Sequence, residues 1–375
     1  MTRTSVRSFA SAIALPPLLA LLAAACGHTD AFTTPESHSS GPFANGAPVR
    51  LTFAATADLE PTWLPGGAAI AYSYQRADRR EGDRCIGLMP ASGGAIARQV
   101  CGGSAFESDS ITTFSMPTVS ALGEIAYLRS SRPAATGQSG ETSLVVAMVE
   151  SPSPATVVRS VPFQGSEQFY AAIGRPAWIA AGELAFPGIV ESVVLPCPGN
   201  PQCAPVLIAY SRHLLRLSTS APGAVSVIPG TDFATSVTGG EAGGVIHYTV
   251  ANDTRIFRQD LATGAVRPVH DFGPAGIPRE LSFANGRIAA IVGGSVTVLL
   301  DSIGPLQTSG PGHLIVVDLA TGAEEVPDAS AMVQYQQPAL SPTGEGLAAV
   351  RFDVTVSGGD VVALTTGDIV RFGAD

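Results

Sequence analysis

Histidine, serine and carboxylate side chains are the groups of this chain that could carry acid–base, nucleophilic or metal chemistry. Four histidines lie far apart, namely His213, His247, His270 and His313. They form no His-x-His or HExxH pattern, and no Gly-x-Ser-x-Gly elbow occurs. Carboxylates near predicted loops are Asp232, Asp253, Asp271 and Asp301. The sequence therefore predicts no catalytic residue, no metal site and no cofactor, and favours a non-enzymatic role without excluding an enzyme.

The N-terminus has the order of a secretory signal peptide. Arg3 and Arg7 precede an uncharged stretch rich in Ala and Leu, residues 9–25, and Cys26 follows it. This stretch contains two prolines and is short for a spanning helix, which needs roughly 20 apolar residues. We therefore expect residues 1–25 to be a leader that is removed on export.

Residues 22–27, Leu-Ala-Ala-Ala-Cys-Gly, resemble the lipobox of bacterial lipoproteins, with Ala23 where that family usually has Leu. The resemblance implies that Cys26 is diacylated and becomes the new N-terminus, so that lipid anchors the protein in the cell envelope. In that family Asp after the cysteine retains a protein at the inner membrane, so Gly27 implies the outer membrane if the organism has one. An ordinary Ala-x-Ala cleavage site beside an unmodified cysteine is the alternative.

Four further cysteines are spaced for two disulfides in an oxidising compartment. Cys85 and Cys101 flank a predicted hairpin that turns at Gly93, which would set the two sulfurs on facing positions. Cys197 and Cys203 close a short loop. Zinc is the alternative partner, but no histidine lies within metal-ligand spacing of these cysteines.

Composition excludes several functions and indicates short strands. The net charge is −10, and all 21 basic residues are Arg, so nucleic-acid binding and lysine-dependent chemistry are not expected. The chain is 45% hydrophobic and can bury a large core, but 41 Gly and 29 Pro interrupt it too often for long helices. Residues 26–47 are polar and predict a flexible tether between the lipid and a folded domain, 48–375.

A motif recurs within this folded domain. Glu-Pro-Thr-Trp-Leu-Pro-Gly-Gly at 60–67 precedes a strand-like run, and Gln-Pro-Ala-Leu-Ser-Pro-Thr-Gly at 337–344 precedes another. Weaker copies begin at Pro117 and Pro176. A second motif, Asp-Leu-Ala-Thr-Gly-Ala, starts at Asp260 and again 58 residues later. Two motifs with nearly the same period indicate a structural repeat.

These motifs resemble the WD-repeat-like units of TolB and its relatives, in which each unit is one four-stranded propeller blade. The resemblance implies an all-β, six-bladed β-propeller, with seven blades possible. The predicted second strands lie near Ile70, Ile125, Leu184, Ile246, Ile288 and Leu347. The unassigned strand at 49–53 is expected to complete the last blade and close the ring, which would remove an exposed sheet edge. Trp63 and Trp178 occupy equivalent positions and are expected to pack between blades.

In such a propeller the longer loops lie on one face, where recognition usually takes place. Candidate binding residues on this face are Arg76, Arg79, Arg80, Arg84, Arg129 and Asp301. A β-arm with its tip at the Cys197 loop is predicted to be either a partner-contacting finger or a stapled loop. We expect a scaffold that binds an envelope protein or ligand; the alternative is an exported hydrolase or lyase acting on a polysaccharide or peptide. Acidic and basic groups converging at the propeller mouth would favour the enzyme.

Overall fold

The computed structural model describes residues 48–53, 56–76, 82–101, 110–133, 141–149, 155–159, 168–172, 174–194, 206–293, 312–357, 360–364 and 367–373. The expected leader, the tether with Cys26, and the Cys197–Cys203 loop lie outside these ranges. Within them the chain is all-β, apart from one 3-10 turn at Gly273–Ala275. Nothing helical in the described ranges has the length and apolar character of a membrane span.

The strands are short, as the frequent Gly and Pro predict. In chain order they are β1 (Val49–Arg50), β2 (Leu59–Trp63), β3 (Ala69–Gln75), β4 (Arg84–Pro90), β5 (Arg98–Val100), β6 (Ser110–Val119), β7 (Glu124–Pro133), β8 (Glu141–Met148), β9 (Ala155–Arg159), β10 (Gln168–Ala172), β11 (Ala177–Ala180), β12 (Glu183–Val194), β13 (Val206–Ser218), β14 (Val225–Val227), β15 (Ala234–Gly239), β16 (Val245–Val250), β17 (Arg255–Asp260), β18 (Val266–Asp271), β19 (Pro278–Ala284), β20 (Arg287–Val292), β21 (His313–Asp318), β22 (Glu324–Glu325), β23 (Val333–Leu340), β24 (Leu347–Ser357), β25 (Asp360–Leu364) and β26 (Asp368–Phe372).

The strands are arranged as antiparallel meanders, which we call units 1 to 6 in the order of their first strands. Unit 1 is β2–β5, unit 2 is β6–β9, unit 3 is β10–β14, unit 4 is β15–β18, unit 5 is β19–β22, and unit 6 is β23–β26 with β1. A parallel pair between Arg84 and Thr113 joins units 1 and 2 into one sheet. Repetition of a four-stranded meander is typical of propeller folds.

The hydrophobic core lies between neighbouring units. All six predicted second-strand residues are almost completely buried: Ile70, Ile125, Leu184, Ile246, Ile288 and Leu347. Because side chains alternate along a strand, β3 serves two interfaces. Its Tyr72 packs in the same cluster as Ala348 of unit 6, whereas its Ala71 packs with Phe114 of unit 2. The second strand of unit 1 therefore hydrogen-bonds within its own sheet, and its side chains pack in the interfaces with units 6 and 2.

The first and last strands of the described chain pair with each other. β1 runs antiparallel to β26, with Val49 opposite Arg371 and Arg50 opposite Val370. It is shorter than the predicted strand at 49–53. The first strands of successive units contact one another in chain order, and β23 of unit 6 also contacts β2 of unit 1.

The predicted β-arm corresponds to a long hairpin in unit 3. β12 and β13 pair along their length, from Glu183 opposite Ser218 to Val194 opposite Val206. The tip of the hairpin, with both cysteines, lies outside the described residues, so the Cys197–Cys203 disulfide remains a prediction.

Candidate functional site

Four first strands contain a β-bulge at the same place. The residues at the bulges are Glu60, Met116, Glu280 and Gln337, with φ angles of 63°, 54°, 56° and 54°. Left-handed backbone costs a residue with a Cβ atom roughly 1–2 kcal/mol. Bulges of this kind re-aim side chains and occur often beside functional sites. The contacts of these four residues show what holds the bulges in place.

Side chains at the bulges link neighbouring units in series. The Glu280 carboxylate accepts a hydrogen bond from the backbone N–H of Gln337 at 2.6 Å. The Gln337 side-chain oxygen accepts one from the backbone N–H of Glu60 at 2.8 Å. The Glu60 carboxylate accepts one from the backbone N–H of Met116. The series runs from unit 5 through units 6 and 1 to unit 2, and it provides an acceptor for three of the four bulge N–H groups.

Arg175 occupies the corresponding place in unit 3, where the first strand is interrupted between β10 and β11. Its guanidinium donates hydrogen bonds to Pro61 O at 3.0 Å and to Pro338 O at 3.4 Å. These carbonyls belong to units 1 and 6 and lie directly after their bulges. Arg175 therefore connects three units that are not all neighbours. We call Glu60, Arg175, Glu280 and Gln337 the axial cluster.

Burial dominates the electrostatics of the axial cluster. It raises the pKa of the Glu60 and Glu280 carboxyls, against the opposing effect of their backbone hydrogen bonds and of nearby arginines. It also lowers the pKa of Arg175, against the effect of the two carboxylates. Arg175 and the two carboxyls favour each other's charged forms, but burial outweighs this effect for all three groups.

A cavity of about 340 Å³ lies against Arg175, and the first strands of all six units contribute to its wall. One lining residue from each unit in turn is Thr62, Thr118, Arg175, Thr238, Ser282 and Leu340. Among the described residues that line this cavity, Arg175 is the only charged one, and neither Glu60 nor Glu280 reaches the wall. We call this space the axial cavity. Its wall offers a cation, hydroxyl groups and apolar surface.

Two tryptophans that line the axial cavity each donate a hydrogen bond to another unit. Trp63 Nε1 donates to Ala339 O of unit 6 at 2.8 Å, and Trp178 Nε1 donates to Thr118 O of unit 2 at 3.3 Å. The two contacts are equivalent by position in the motif. The expectation that these tryptophans pack between units is confirmed.

The predicted loop residues do not gather at the axial cavity. Arg84 lies in β4 and donates to Ser73 Oγ at 2.9 Å and to Ala57 O at 2.9 Å, so its guanidinium is used within the fold. Arg76 directly follows β3 and Arg129 lies in the middle of β7, and both are partly exposed. The three remaining candidates, Arg79, Arg80 and Asp301, lie outside the described residues.

Cys85 and Cys101 form a disulfide. Cys85 is buried in the core between units 6 and 1, in the same cluster as Ile70 and Ile369, and Cys101 packs against that cluster. The bond therefore ties the third strand of unit 1 to the segment after β5. Cys26 lies outside the described part of the chain, so its lipidation stays a prediction.

The histidines and aspartates considered for catalysis do not converge where the structure describes them, and Asp301 lies outside the described ranges. His213 Nδ1 lies 3.3 Å from Asp232, and His270 Nε2 lies 2.7 Å from Glu324 of the next unit. Each is a separate pair. No cluster of three metal-binding side chains occurs among the residues that the structure describes.

Sequence reasoning missed the axial cluster, although part of its signal was visible. Glu60, Arg175 and Gln337 each stand directly before the proline of the repeated motif. The same motif position therefore carries a polar residue in units 1, 3 and 6. The shared motif position could therefore have predicted that the three residues occupy equivalent places in their units.

Asp58 is a second perturbed carboxyl, at the contact of units 6 and 1. Its backbone N–H donates to Gly367 O at 3.0 Å, and its side chain is 3% exposed. Burial raises its pKa to about 6, although a hydrogen bond from Thr52 and the charge of Arg84 oppose the shift. Perturbed carboxyls occur at catalytic sites and in structural ion networks alike.

No protein-family model and no curated protein sequence matches the chain. Solved structures are similar in fold. They include TolB from Acinetobacter baumannii, at 12% identity and a TM-score of 0.45. The similarity covers 89% of this chain, which spans 65% of the length of TolB. A luciferin-regenerating enzyme is similar at 13% identity and a TM-score of 0.48. The similarity covers 87% of this chain and 95% of the enzyme. An oligogalacturonate lyase from Vibrio parahaemolyticus is similar at 9% identity and a TM-score of 0.44. The similarity covers 86% of this chain and 92% of the lyase. The resemblance to TolB in the sequence repeats is accompanied by a resemblance in fold.

Proposed function

We propose that the chain is an exported lipoprotein of the cell envelope whose six-bladed propeller binds a ligand or protein without changing it chemically. One observation carries the proposal. The acidic groups that interact electrostatically with Arg175, Glu60 and Glu280, each bind a backbone N–H of the adjacent unit and do not line the cavity wall. General acid–base catalysis needs a proton-transferring group within hydrogen-bond reach of the substrate. The described wall offers a binding surface instead.

The six-bladed ring is part of this proposal. It is supported by the contacts of first strands in chain order, by the contact of β23 with β2, and by the pairing of β1 with β26. Closure through a strand from the other end of the chain leaves no open sheet edge between the first and last blades.

The anchor is the second part of the proposal. The leader, the residues before Cys26 and the polar tether support attachment through lipid. Replacing Cys26 with Ala should move the protein from the membrane fraction to the soluble fraction of the envelope. An unchanged distribution in membrane fractionation would exclude lipid as the anchor.

The binding role is tested by blocking the axial cavity. Ala121 lines it, whereas the next residue, Leu122, is 64% exposed and is not part of the described wall. Envelope extract of the producing bacterium is passed over immobilised wild-type protein, Ala121→Trp and Leu122→Trp, and bound proteins and small molecules are identified by mass spectrometry. We expect a component retained unchanged by wild type and Leu122→Trp and lost with Ala121→Trp. Chemical conversion of that component would contradict the proposal.

An exported hydrolase or lyase is the second candidate, because Asp58 lies beside the Arg84 guanidinium, which donates to the adjacent Ala57 O, and burial raises the pKa of Asp58 to about 6. Carboxyls tuned toward neutral pH serve as general acids. The enzyme would release products from envelope polysaccharides or peptides, and Asp58→Asn would abolish the release. Products that persist in Asp58→Asn, or the lack of any product with wild type, would exclude this candidate.

A further inference from the structure

Arg175 lines the axial cavity, and its guanidinium has more donors than the described acceptors use. A guanidinium carries five N–H donors. The described residues supply it with two acceptors, Pro61 O and Pro338 O, and give it no ion pair. The guanidinium fork matches the two oxygens of a carboxylate, and such paired contacts are stronger than contacts to neutral acceptors. An acid group entering the cavity would therefore meet a suitable cation.

Hydroxyl groups around Arg175 also favour a ligand that accepts hydrogen bonds. Ser282 Oγ accepts from the backbone N–H of Leu340 at 3.0 Å, and Thr238 Oγ1 accepts from that of Phe283 at 3.1 Å. A hydroxyl that accepts one hydrogen bond still has its own proton to donate. Both residues line the cavity.

The rest of the wall combines further hydroxyl side chains, such as Thr62 and Ser120, with flat apolar groups. It includes Trp63 and Trp178, whose indole N–H groups are already bound to backbone carbonyls, together with Pro65 and Pro342. Ligand pockets generally enclose about 300–1,000 Å³, with an apolar wall and a few polar groups that orient the ligand. At about 340 Å³ the axial cavity is at the small end of that range.

We infer that the axial cavity binds a small organic carboxylate, with its acid group on Arg175 and a flat apolar body against the indoles and prolines. This inference rests on the proposed binding function and names its ligand class. A single negative charge is favoured because Glu60 and Glu280 interact electrostatically with Arg175 from outside the cavity wall. These carboxylates would repel a multiply charged phosphate more strongly than a monoanion.

The test uses three pairs of probes that differ only in charge: benzoate and benzamide, phenylacetate and phenylacetamide, indole-3-acetate and indole-3-acetamide. Binding to the purified wild-type protein is measured by calorimetry and by ligand-observed NMR. We expect at least one acid to bind at least tenfold more tightly than its amide. Arg175→Gln should remove that preference. Equal affinity for each acid and its amide, or no binding of any acid, would overturn the inference.

The pair of variants used for the binding role, Ala121→Trp and Leu122→Trp, keeps the test valid if Arg175→Gln does not fold. Ala121→Trp should abolish binding of the acid, and Leu122→Trp should leave it within twofold of wild type. Binding that persists in Ala121→Trp would place the acid elsewhere and contradict the inference. A partner captured from envelope extract while all acids fail would exclude the ligand class and leave the binding function intact. Turnover of a captured component would instead exclude the binding function.

Discussion

The contact between units 6 and 1 and the contact between units 4 and 5 hold equivalent strands together with different chemistry. At the first, the Gln337 amide and the Trp63 indole bind backbone of the opposite unit. At the second, the hydroxyls of Ser236 and Thr238 accept backbone N–H bonds from unit 5 at 2.8 and 3.1 Å. Small neutral groups therefore suffice to join two units. At units 6 and 1 larger side chains make the equivalent contacts, and one of them, Trp63, also lines the axial cavity.

The two contacts also contain ionisable groups with opposite responses to burial. Asp58, beside units 6 and 1, has its pKa raised to about 6. His247, between units 4 and 5, is fully buried, stacks on Phe283 at 5.1 Å between ring centroids, and has its pKa lowered to about 4. Each group favours its neutral form. Acidification should therefore strengthen one contact and weaken the other.

The largest expected effect concerns Trp63. Replacing it with Ala removes a side chain that is 8% exposed and packs between units 6 and 1. Deletion of a buried aromatic side chain lowers the free energy of unfolding by about 3–5 kcal/mol. Trp178 occupies the equivalent position but is half-buried. Trp178→Ala should therefore lower the free energy of unfolding, measured by urea denaturation, by less than Trp63→Ala. Equal losses would show that units 2 and 3 depend on their indole as strongly as units 6 and 1.

The disulfide is the next largest contribution expected at the contact of units 6 and 1. Cys85 and Cys101 are separated by 16 positions. A disulfide that closes a loop of this length stabilises a protein by about 3 kcal/mol, mainly by restricting the unfolded chain. The double substitution of both cysteines by Ala should lower the urea midpoint, and reductant should lower the midpoint of the wild-type protein at least as far. A wild-type midpoint that does not respond to reductant would contradict this contribution.

The pH responses should have opposite signs. The stabilisation associated with Asp58 is present below pH 3.8 and is lost as pH rises to about 6. That associated with His247 is present above pH 6.5 and is lost as pH falls to about 4. Each change is on the order of 3 kcal/mol, since each pKa shifts by slightly more than two units and one unit corresponds to about 1.4 kcal/mol. The free energy of unfolding is measured from pH 4 to 8. Asp58→Asn should remove the loss of stability at higher pH, and His247→Leu should remove the loss of stability at lower pH. Parallel pH curves for the variants and wild type would contradict both assignments.

The sequence predicted local structure well because local structure follows from neighbouring residues. The run at 69–75 alternates between two buried faces, and Trp63 and Trp178 share a motif position, so strands and packing could be inferred from the repeat. The axial cluster depends on contacts between distant parts of the chain. Arg175 meets Pro61 across 114 positions and Pro338 across 163, and no local pattern specifies those distances.

The bulge residues show the same limit in the backbone. A positive φ at a non-glycine residue such as Glu60 or Met116 contradicts local preference and is maintained by tertiary hydrogen bonds. The motif could indicate that proline follows the bulge. It could not indicate that the residue before it would adopt a left-handed backbone.

The smallest effect we predict separates the hydrogen bond of Glu60 from its charge. Glu60→Ala leaves the Met116 backbone N–H without its carboxylate acceptor, which should lower the free energy of unfolding by about 1–3 kcal/mol. Glu60→Gln keeps an acceptor oxygen on a side chain of the same length. Its loss in the free energy of unfolding should be less than half that of Glu60→Ala. Urea denaturation gives the two values, and hydrogen exchange at the Met116 amide should be faster in Glu60→Ala alone. If both variants lose the same stability, the charge of Glu60 beside Arg175 holds this part of the axial cluster, and the bond to Met116 is secondary.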